Sequence, residues 1–342
     1  MLKPLSQHWF FQMRKLTFYD SLSRSFSKFL QIAIPLGLGV FLIWYIFNSF
    51  TPVQIAETKK YFANANYGFV MLSVILSVLS HISRSYRWSF MLEPLGYKPK
   101  LANNFMAISV AYLMNVFIPK SGEVARGIIL DKYEDIPFEK GFGTIISERV
   151  VDLIFLLSFT IVALVLKFDA LYGYITDSIP VSVLYFLFAG IALLIIFIPL
   201  FIKFSESNIN RKLKSFLIGL KDGIFSIIKM EKKGAFILHT FFIWGLYLLS
   251  FYTAMHALPE TAQIPFGTII ITFVVGSFTF AFTNSGFGTY PAAVAGILIV
   301  FGIAKTVGTA FGWIVWTSNI ASILVFGGLS LILLPLYNRN KR

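Results

Sequence analysis

The sequence contains no cysteine and few charged residues. None of its 342 residues is cysteine, and only 13% are Asp, Glu, Lys or Arg, whereas soluble domains carry about 25% charged residues. A disulfide framework and thiol chemistry are therefore excluded, and the redox compartment stays open. The four histidines are scattered without metal-ligand spacing, and no nucleotide-binding loop or "DxD" pair occurs. We therefore expect no metal, no cofactor and no direct use of ATP.

Hydrophobic residues make up 57% of the chain, which indicates a protein whose solvent is lipid. The net charge is +13, from 29 basic and 16 acidic residues. In a membrane protein such an excess is typical of cytoplasmic loops and of contacts with anionic head groups. We therefore expect membrane lipid, and not nucleic acid, as the partner, and homo-oligomerisation is left open.

Apolar stretches divide the chain into spans and interrupted segments. A span needs about 20 residues to cross about 30 Å of hydrocarbon. Six stretches meet this length: 30–50, 68–90, 142–167, 181–203, 235–257 and 307–336. Two others, 101–132 and 265–303, are interrupted by polar turns. The Lys-rich loop 203–233 can be cytoplasmic only if the first interrupted segment, 101–132, returns to the side from which it enters. By the same logic 265–303 is expected to enter from the outside and return.

The sequence thus predicts an all-α polytopic membrane protein with about six transmembrane helices and two re-entrant helical hairpins. Span, hairpin and span recur at about 68–167 and, in the opposite direction, at about 235–336. Such inverted repeats, with broken helices that meet near the midplane, are typical of transporters. Irregular backbone at that depth needs a surrounding of protein or water.

The remaining segments are predicted from charge. Residues 1–29 are read as a basic, aromatic cytoplasmic arm, and 30–336 as the transmembrane domain. An amphipathic linker on the cytoplasmic leaflet is expected at about 204–234, and a basic cytoplasmic tail at 337–342. Residues 168–180 hold no Lys or Arg and are expected outside. The expected location is the cell membrane, with both termini cytoplasmic.

Charged residues within the apolar segments allow two interpretations. Arg84 and Arg87 either snorkel to the interface or form a fork for phosphate. Glu123 and Arg126, three residues apart, either form a local ion pair or face a ligand.

Glu148 and Asp152 lie four residues apart and share a helix face, so they need a cation between them or a proton on one carboxyl. The expected cation is Arg126 or an arginine of the span 68–90. Gly122 is expected to let the first hairpin turn, and the following helix start would suit an anion. Asn284 and the residues after it are turn formers. They are expected either to contribute polar groups to a site at the tip of the second hairpin or to form nothing more than the turn itself.

These motifs resemble one known family. The order "RSYRW" (84–88), "N…P..GE..R" (115–126), "ER..D" (148–152) and "SGFG" (285–288) resembles the lysylphosphatidylglycerol synthase transmembrane region. The resemblance covers about 30–335 and implies movement of an aminoacylated phospholipid or another lipid-linked head group between leaflets. Some stand-alone relatives imply polyprenyl-phosphate sugar metabolism instead. The chain stops at Arg342 without the transferase domain that follows in full-length members, so we expect no lipid aminoacylation.

The chain departs from that family at two places. Pro291 stands where the family usually has a Glu, and Trp316, Thr317 and Asn319 occupy the region of a usual Arg. We favour a lipid flippase over an enzyme, with a component of polyprenyl-phosphate-linked sugar transfer as the alternative. A structural membrane partner without substrate is a third hypothesis. The candidate substrate-binding residues are Arg84, Arg87, Asn115, Gly122, Glu123, Arg126, Glu148, Arg149, Asp152, Asn284, Ser285, Gly286 and Gly288.

Overall fold

The computed structural model describes residues 36–169 and 230–339, together with the single positions 33 and 193. The described chain is helical and contains no strand. Its helices are α1 (Leu36–Asn48), α2 (Pro52–Asn64), α3 (Tyr67–Leu92), α4 (Leu101–Phe117), α5 (Ser121–Glu134), α6 (Phe138–Leu166), α7 (Lys233–Met255), α8 (Pro259–Ala262), α9 (Phe266–Phe282), α10 (Thr289–Val300) and α11 (Lys305–Tyr337). A 3₁₀ turn, Glu93–Leu95, follows α3.

Four of these helices are long and apolar enough to cross a membrane: α3 with its 3₁₀ turn, α6, α7 and α11. The outward-facing side chains of these helices are apolar, as are the side chains that they bury. Val165 is 72% exposed and Leu238 is 68% exposed. A soluble protein hides most such side chains, whereas hydrocarbon accepts them. The protein is therefore an all-α, multi-pass membrane protein.

The predicted span 30–50 leads into a bend that the sequence reading missed. Helix α1 ends at Asn48, and the chain turns by 113° into α2. Thr51 starts α2 with a capping box, in which its hydroxyl accepts from Gln54 N and its own N–H donates to Gln54 Oε1. The cap satisfies backbone groups that the helix start leaves free.

Helices α4 and α5 form the first hairpin. Their connection covers only residues 118–120, and they pack along one another through Ile108 and Leu130, among others. At the far end from this connection, the N–H of Lys100 donates to Glu134 Oε1 at 3.1 Å. The start of α4 therefore meets the end of α5, and the pair returns to the side from which it enters.

Helices α9 and α10 form the second hairpin, joined by a turn at residues 283–288. Near the turn, Gly276 of α9 lies against the ring of Tyr290 of α10. At the open end, Lys167 contacts both helices: its side chain packs against Gly267, and its Nζ lies 5.2 Å from the ring centroid of Phe301. This pair also returns to its own starting side.

The two hairpins enter from opposite ends of the bundle and touch at their tips. Helix α6 begins three residues after α5, at the open end of the first hairpin, and ends beside Lys167 at the open end of the second. Between these ends, Asn284 Nδ2 donates to Val116 O at 3.1 Å. Ser285 Oγ donates to Asn115 O at 3.2 Å. These contacts join the two predicted tips.

The full count of crossings and the inverted repeat stay predictions, because the predicted span 181–203 lies almost wholly outside the described residues. The predictions for the arm at 1–29, most of the linker at 204–234 and the last residues of the tail also lie outside them.

Topology is testable because the natural chain has no cysteine. Single cysteines introduced at 168–180 are expected to react with an impermeant thiol reagent from outside the cell. Cysteines introduced at 203–233 or in the tail should react only after permeabilisation. Labelling of 203–233 in intact cells would contradict the two-hairpin arrangement.

Adjacent glycines on α11 test its packing against the first hairpin. A Cβ on Gly327 would lie 2.6 Å from Leu113 Cβ and 2.9 Å from Ser109 O, whereas one on Gly328 meets nothing within 4 Å. Gly327→Ala should therefore destabilise the protein by about 1–3 kcal/mol through overpacking. Gly328→Ala should be neutral or stabilise by up to about 1 kcal/mol, since alanine favours helix. Unfolding in detergent compares them, and equal effects would contradict this packing.

Candidate functional site

Helices α3 and α6 face one another through two arginines and two carboxylates. Arg84 Nη1 donates to Glu148 Oε1 at 2.7 Å and to Asp152 Oδ2 at 2.9 Å. Arg87 Nη2 donates to Glu148 Oε1 and Asp152 Oδ1, both at 2.9 Å. The spacings of three and four residues place each pair on one face of its helix. Arginines therefore lie between the carboxylates of Glu148 and Asp152, as the spacing of these two residues predicts.

Helix α5 adds a third arginine. Arg126 Nη2 donates to Glu148 Oε2 at 2.8 Å. Its guanidinium also lies 3.8 Å from the ring centroid of Trp88, and Trp88 Nε1 donates to Thr144 Oγ1 at 2.9 Å. Glu148 thus joins α3, α5 and α6 at one point. We call Arg84, Arg87, Arg126, Arg149, Glu148 and Asp152 the arginine–carboxylate cluster.

Most of the arginine–carboxylate cluster is closed to solvent. Arg87 and Glu148 are fully buried, and Arg84 and Arg126 are 3% and 2% exposed. Glu148 lies ten residues after the start of α6, which is about 15 Å at 1.5 Å per residue. Helix α6 has 29 residues, so Glu148 lies about a third of the way along a helix that is long and apolar enough to cross the membrane. A lone charge at that depth costs at least about 2.5–3.5 kcal/mol, so mutual pairing is the condition for placing these charges there.

Arg149 is the more open member of the cluster. Its Nη2 lies 3.6 Å from Glu148 Oε1 and 3.9 Å from Asp152 Oδ2, and its side chain is 41% exposed. Counted together, the cluster holds four arginines and two carboxylates. The site therefore carries more positive than negative charge.

Glu123 does not form the local ion pair that its spacing from Arg126 allowed. Arg126 pairs with Glu148 instead, and among the described residues Glu123 Oε2 is buried without a hydrogen-bond partner. Glu123 shares a helix face with Arg126, one turn nearer the hairpin tip.

The first tip turns at a different residue from the predicted one. Lys120 has the left-handed conformation, with φ of 59°, whereas Gly122 is already helical. Gly122 is needed for close approach, because a Cβ would collide with the carbonyl oxygen of Ala111. Its N–H donates to Asn115 Oδ1 at 2.8 Å, and that of Ser121 donates to Ile118 O. The expected free N–H groups for an anion are thus partly occupied.

The second tip contains three residues with positive φ, in keeping with the predicted turn formers. Ser285, Gly286 and Gly288 have φ values of 50°, 71° and 65°. Trp316 Nε1 donates to Ser285 O at 2.9 Å, so the residue in the region of the family's usual arginine holds the tip with a neutral donor. Asn284 is 4% exposed, and its Oδ1 is buried without a partner among the described residues.

The structure adds residues that the sequence reading did not assign to the site. Thr240 of α7 accepts from Arg87 Nη1 at 3.2 Å, and the ring of Tyr247 lies 6.0 Å from Arg84 Cζ. Helix α7 is thereby tied to α3. An isolated threonine in an apolar span gives no signal in the sequence, because hydroxyls in membrane helices commonly bond their own backbone.

The fold and the site define a multi-pass helical membrane protein with a buried arginine–carboxylate cluster beside two touching hairpin tips. The chain belongs to the family "Lysylphosphatidylglycerol synthase TM region", which matches residues 32–327. The resemblance read from the sequence motifs is thereby confirmed.

Several relatives share parts of the chain. UPF0104 membrane protein MJ1595 of Methanocaldococcus jannaschii is 31% identical over 137 residues, which cover 39% of this chain and 41% of that protein. UPF0104 membrane protein PH1989 of Pyrococcus horikoshii is 24% identical over 250 residues, 66% of this chain and 72% of that protein. Glycosyltransferase AglD of Haloferax volcanii is 27% identical over 103 residues, 30% of this chain and 16% of that protein. No solved structure matches the chain.

Glu148 can be tested as the centre of the cluster. Glu148→Gln removes the charge that faces three closely bound arginines, so those cations are left buried and underpaired. The expected loss is about 3–5 kcal/mol of unfolding free energy. Glu139→Gln, on the same helix but exposed, should change stability by less than about 0.5 kcal/mol. Thermal unfolding in detergent compares the two, and equal midpoints would contradict a structural role for Glu148.

Proposed function

We propose that this protein moves an anionic or zwitterionic phospholipid, or a lipid-linked head group, between the leaflets of the cell membrane. The observation that carries the proposal is the excess of arginine in a buried, membrane-depth cluster. Ionisable residues inside membranes usually mark a substrate or ion pathway. The N- and C-termini are cytoplasmic in this proposal, because their basic residues follow the positive-inside bias.

Phosphate is the group that best suits such a site. A guanidinium offers a planar fork of donors that matches phosphate, and it stays charged at any physiological pH. The arginine–carboxylate cluster has two more cations than anions, so one phosphodiester would reduce the excess without introducing an unpaired charge. The partner is therefore a lipid that carries phosphate.

The touching hairpin tips support transport as the activity. A head group crosses hydrocarbon only along a polar path, and broken helices supply polar backbone at that depth. Here the tips contribute Asn115, Asn284 and Ser285, all near the level where the hairpins meet. The contacts between the two tips include two hydrogen bonds, and such bonds can be exchanged for bonds to a head group.

A component of lipid-linked sugar transfer is the second candidate. Its support is the likeness to Glycosyltransferase AglD, which covers 16% of that protein. A lipid phosphate would be attracted to the same arginine–carboxylate cluster in either case. The two candidates differ in chemistry, because a transferase breaks a sugar–phosphate bond and a flippase leaves the lipid unchanged.

Reconstitution separates the candidates. Purified protein in liposomes should increase the fraction of a fluorescent phospholipid that external dithionite reaches, compared with protein-free liposomes. Glu148→Gln serves as a control for a damaged cluster. No increase for any phosphate-bearing lipid, together with sugar transfer from a lipid-linked donor, would favour the second candidate.

Glu123 provides a sharper test of the transport proposal. Since Glu123 pairs with no arginine of the described segments, Glu123→Gln is expected to leave no cation unpaired, and we expect stability within about 0.5 kcal/mol of wild type. We expect lipid movement to be lost, because a buried carboxylate oxygen one turn from Arg126, without a hydrogen-bond partner among the described residues, is available to a head group. The Glu148→Gln variant is the matched comparison, because it is expected to lose stability. A stable Glu123→Gln variant with normal lipid movement would remove Glu123 from the site.

A further inference from the structure

Arg149 differs from the other three arginines in its contacts. Arg84, Arg87 and Arg126 each donate at least one hydrogen bond of 2.7–2.9 Å to a carboxylate. Arg149 donates none to any described residue, and its two nearest carboxylate oxygens lie at 3.6 and 3.9 Å. These distances are beyond hydrogen-bond range, so the Nη groups of Arg149 have no hydrogen-bond partner among the described residues, and its Nε is buried without one.

Exposure separates the same arginine from the others. The side chains of Arg84, Arg87 and Arg126 are 4%, 0% and 3% exposed, whereas that of Arg149 is 41% exposed. Its neighbour Glu148 is fully buried. Arg149 therefore lies at the open edge of the cluster. The carboxylates attract its charge but accept no hydrogen bond from it.

The three closed arginines are poorly suited to receive a ligand. A phosphate that reached them would have to displace a carboxylate from a buried pair, and that leaves another charge unpaired. At Arg149 a phosphate displaces no hydrogen bond. The side chain of Asp152, 11% exposed, lies at the same edge and can keep its bonds to Arg84 and Arg87.

We propose that Arg149 is the residue that holds the phosphate of the lipid head group, while Arg84, Arg87 and Arg126 position it through Glu148 and Asp152. This inference deepens the proposed lipid movement and rests on it. The chemistry recognised is a phosphodiester or phosphomonoester, bound through the guanidinium fork.

Lipid binding to the purified full chain tests this assignment. Native mass spectrometry in detergent would measure retention of phosphatidylglycerol, of a polyprenyl phosphate and of uncharged diacylglycerol. Arg149→Gln should weaken binding of the phosphate-bearing lipid by about tenfold or more, in keeping with the loss of hydrogen bonds to a charged group. Diacylglycerol binding should not change. Arg149→Lys should recover part of the loss, because it keeps the charge without the fork.

Two controls show whether the effect is local. Lys140→Gln, on the same helix and exposed, removes a positive charge that contacts Tyr97 and should leave lipid binding unchanged. The unfolding midpoint of Arg149→Gln should match wild type, unlike that of Glu148→Gln. Wild-type lipid affinity in Arg149→Gln, or a loss of stability as large as that of Glu148→Gln, would overturn the inference.

The same experiment distinguishes failure of this inference from failure of the proposed function. If wild type and Arg149→Gln retain phosphatidylglycerol or polyprenyl phosphate equally, the protein still recognises these lipids, but the assignment of the phosphate to Arg149 is wrong. If wild type prefers neither lipid to diacylglycerol, the proposed function itself is wrong. Inorganic phosphate added as a competitor should displace the lipid weakly, and displacement at the lipid's own affinity would overturn the assignment to a head group.

Discussion

Glu148 accepts hydrogen bonds from arginines of α3 and α5 while it is itself carried by α6. Three helices are thus fixed to one carboxylate about a third of the way along α6. In hydrocarbon none of these charges could be placed alone, so each is tolerated because the others are present. The position of the first hairpin relative to α3 and α6 follows from this arrangement, since Arg126 reaches Glu148 only when α5 lies against α6.

The hairpin tips meet a second constraint, which concerns the backbone. A broken helix leaves carbonyl groups without partners, and no water is available to satisfy them inside hydrocarbon. Here the second tip satisfies the first, because Asn284 and Ser285 donate to the carbonyls of Val116 and Asn115. The second tip thus adds two hydrogen bonds to those that the first tip makes within itself, where Ser121 Oγ lies within bonding distance of Met114 O and Ile118 O.

Several of these features could be predicted from single residues and spacings. The separation of Glu148 from Asp152 implied one face and an intervening cation, and the Lys-rich loop implied that the first interrupted segment turns back. Arg126 was one of two expected partners of this carboxylate pair although it lies 22 residues from Glu148, and the structure shows it bonded to Glu148 together with the other expected partner, the arginines of α3. The turn at Lys120 was missed because glycine is the usual signal for a left-handed residue, and Lys120 adopts that conformation within a tight packing of α5 on α4.

The two halves of the transmembrane region are unequal in charge. Every member of the arginine–carboxylate cluster comes from α3, α5 or α6, whereas the second hairpin contributes neutral groups. Trp316 holds that hairpin through an indole N–H, a donor that carries no charge and that a phosphate does not compete for strongly. A phosphate would therefore be attracted to the first half alone. The second half would then shape the polar path and satisfy its backbone without adding to the attraction.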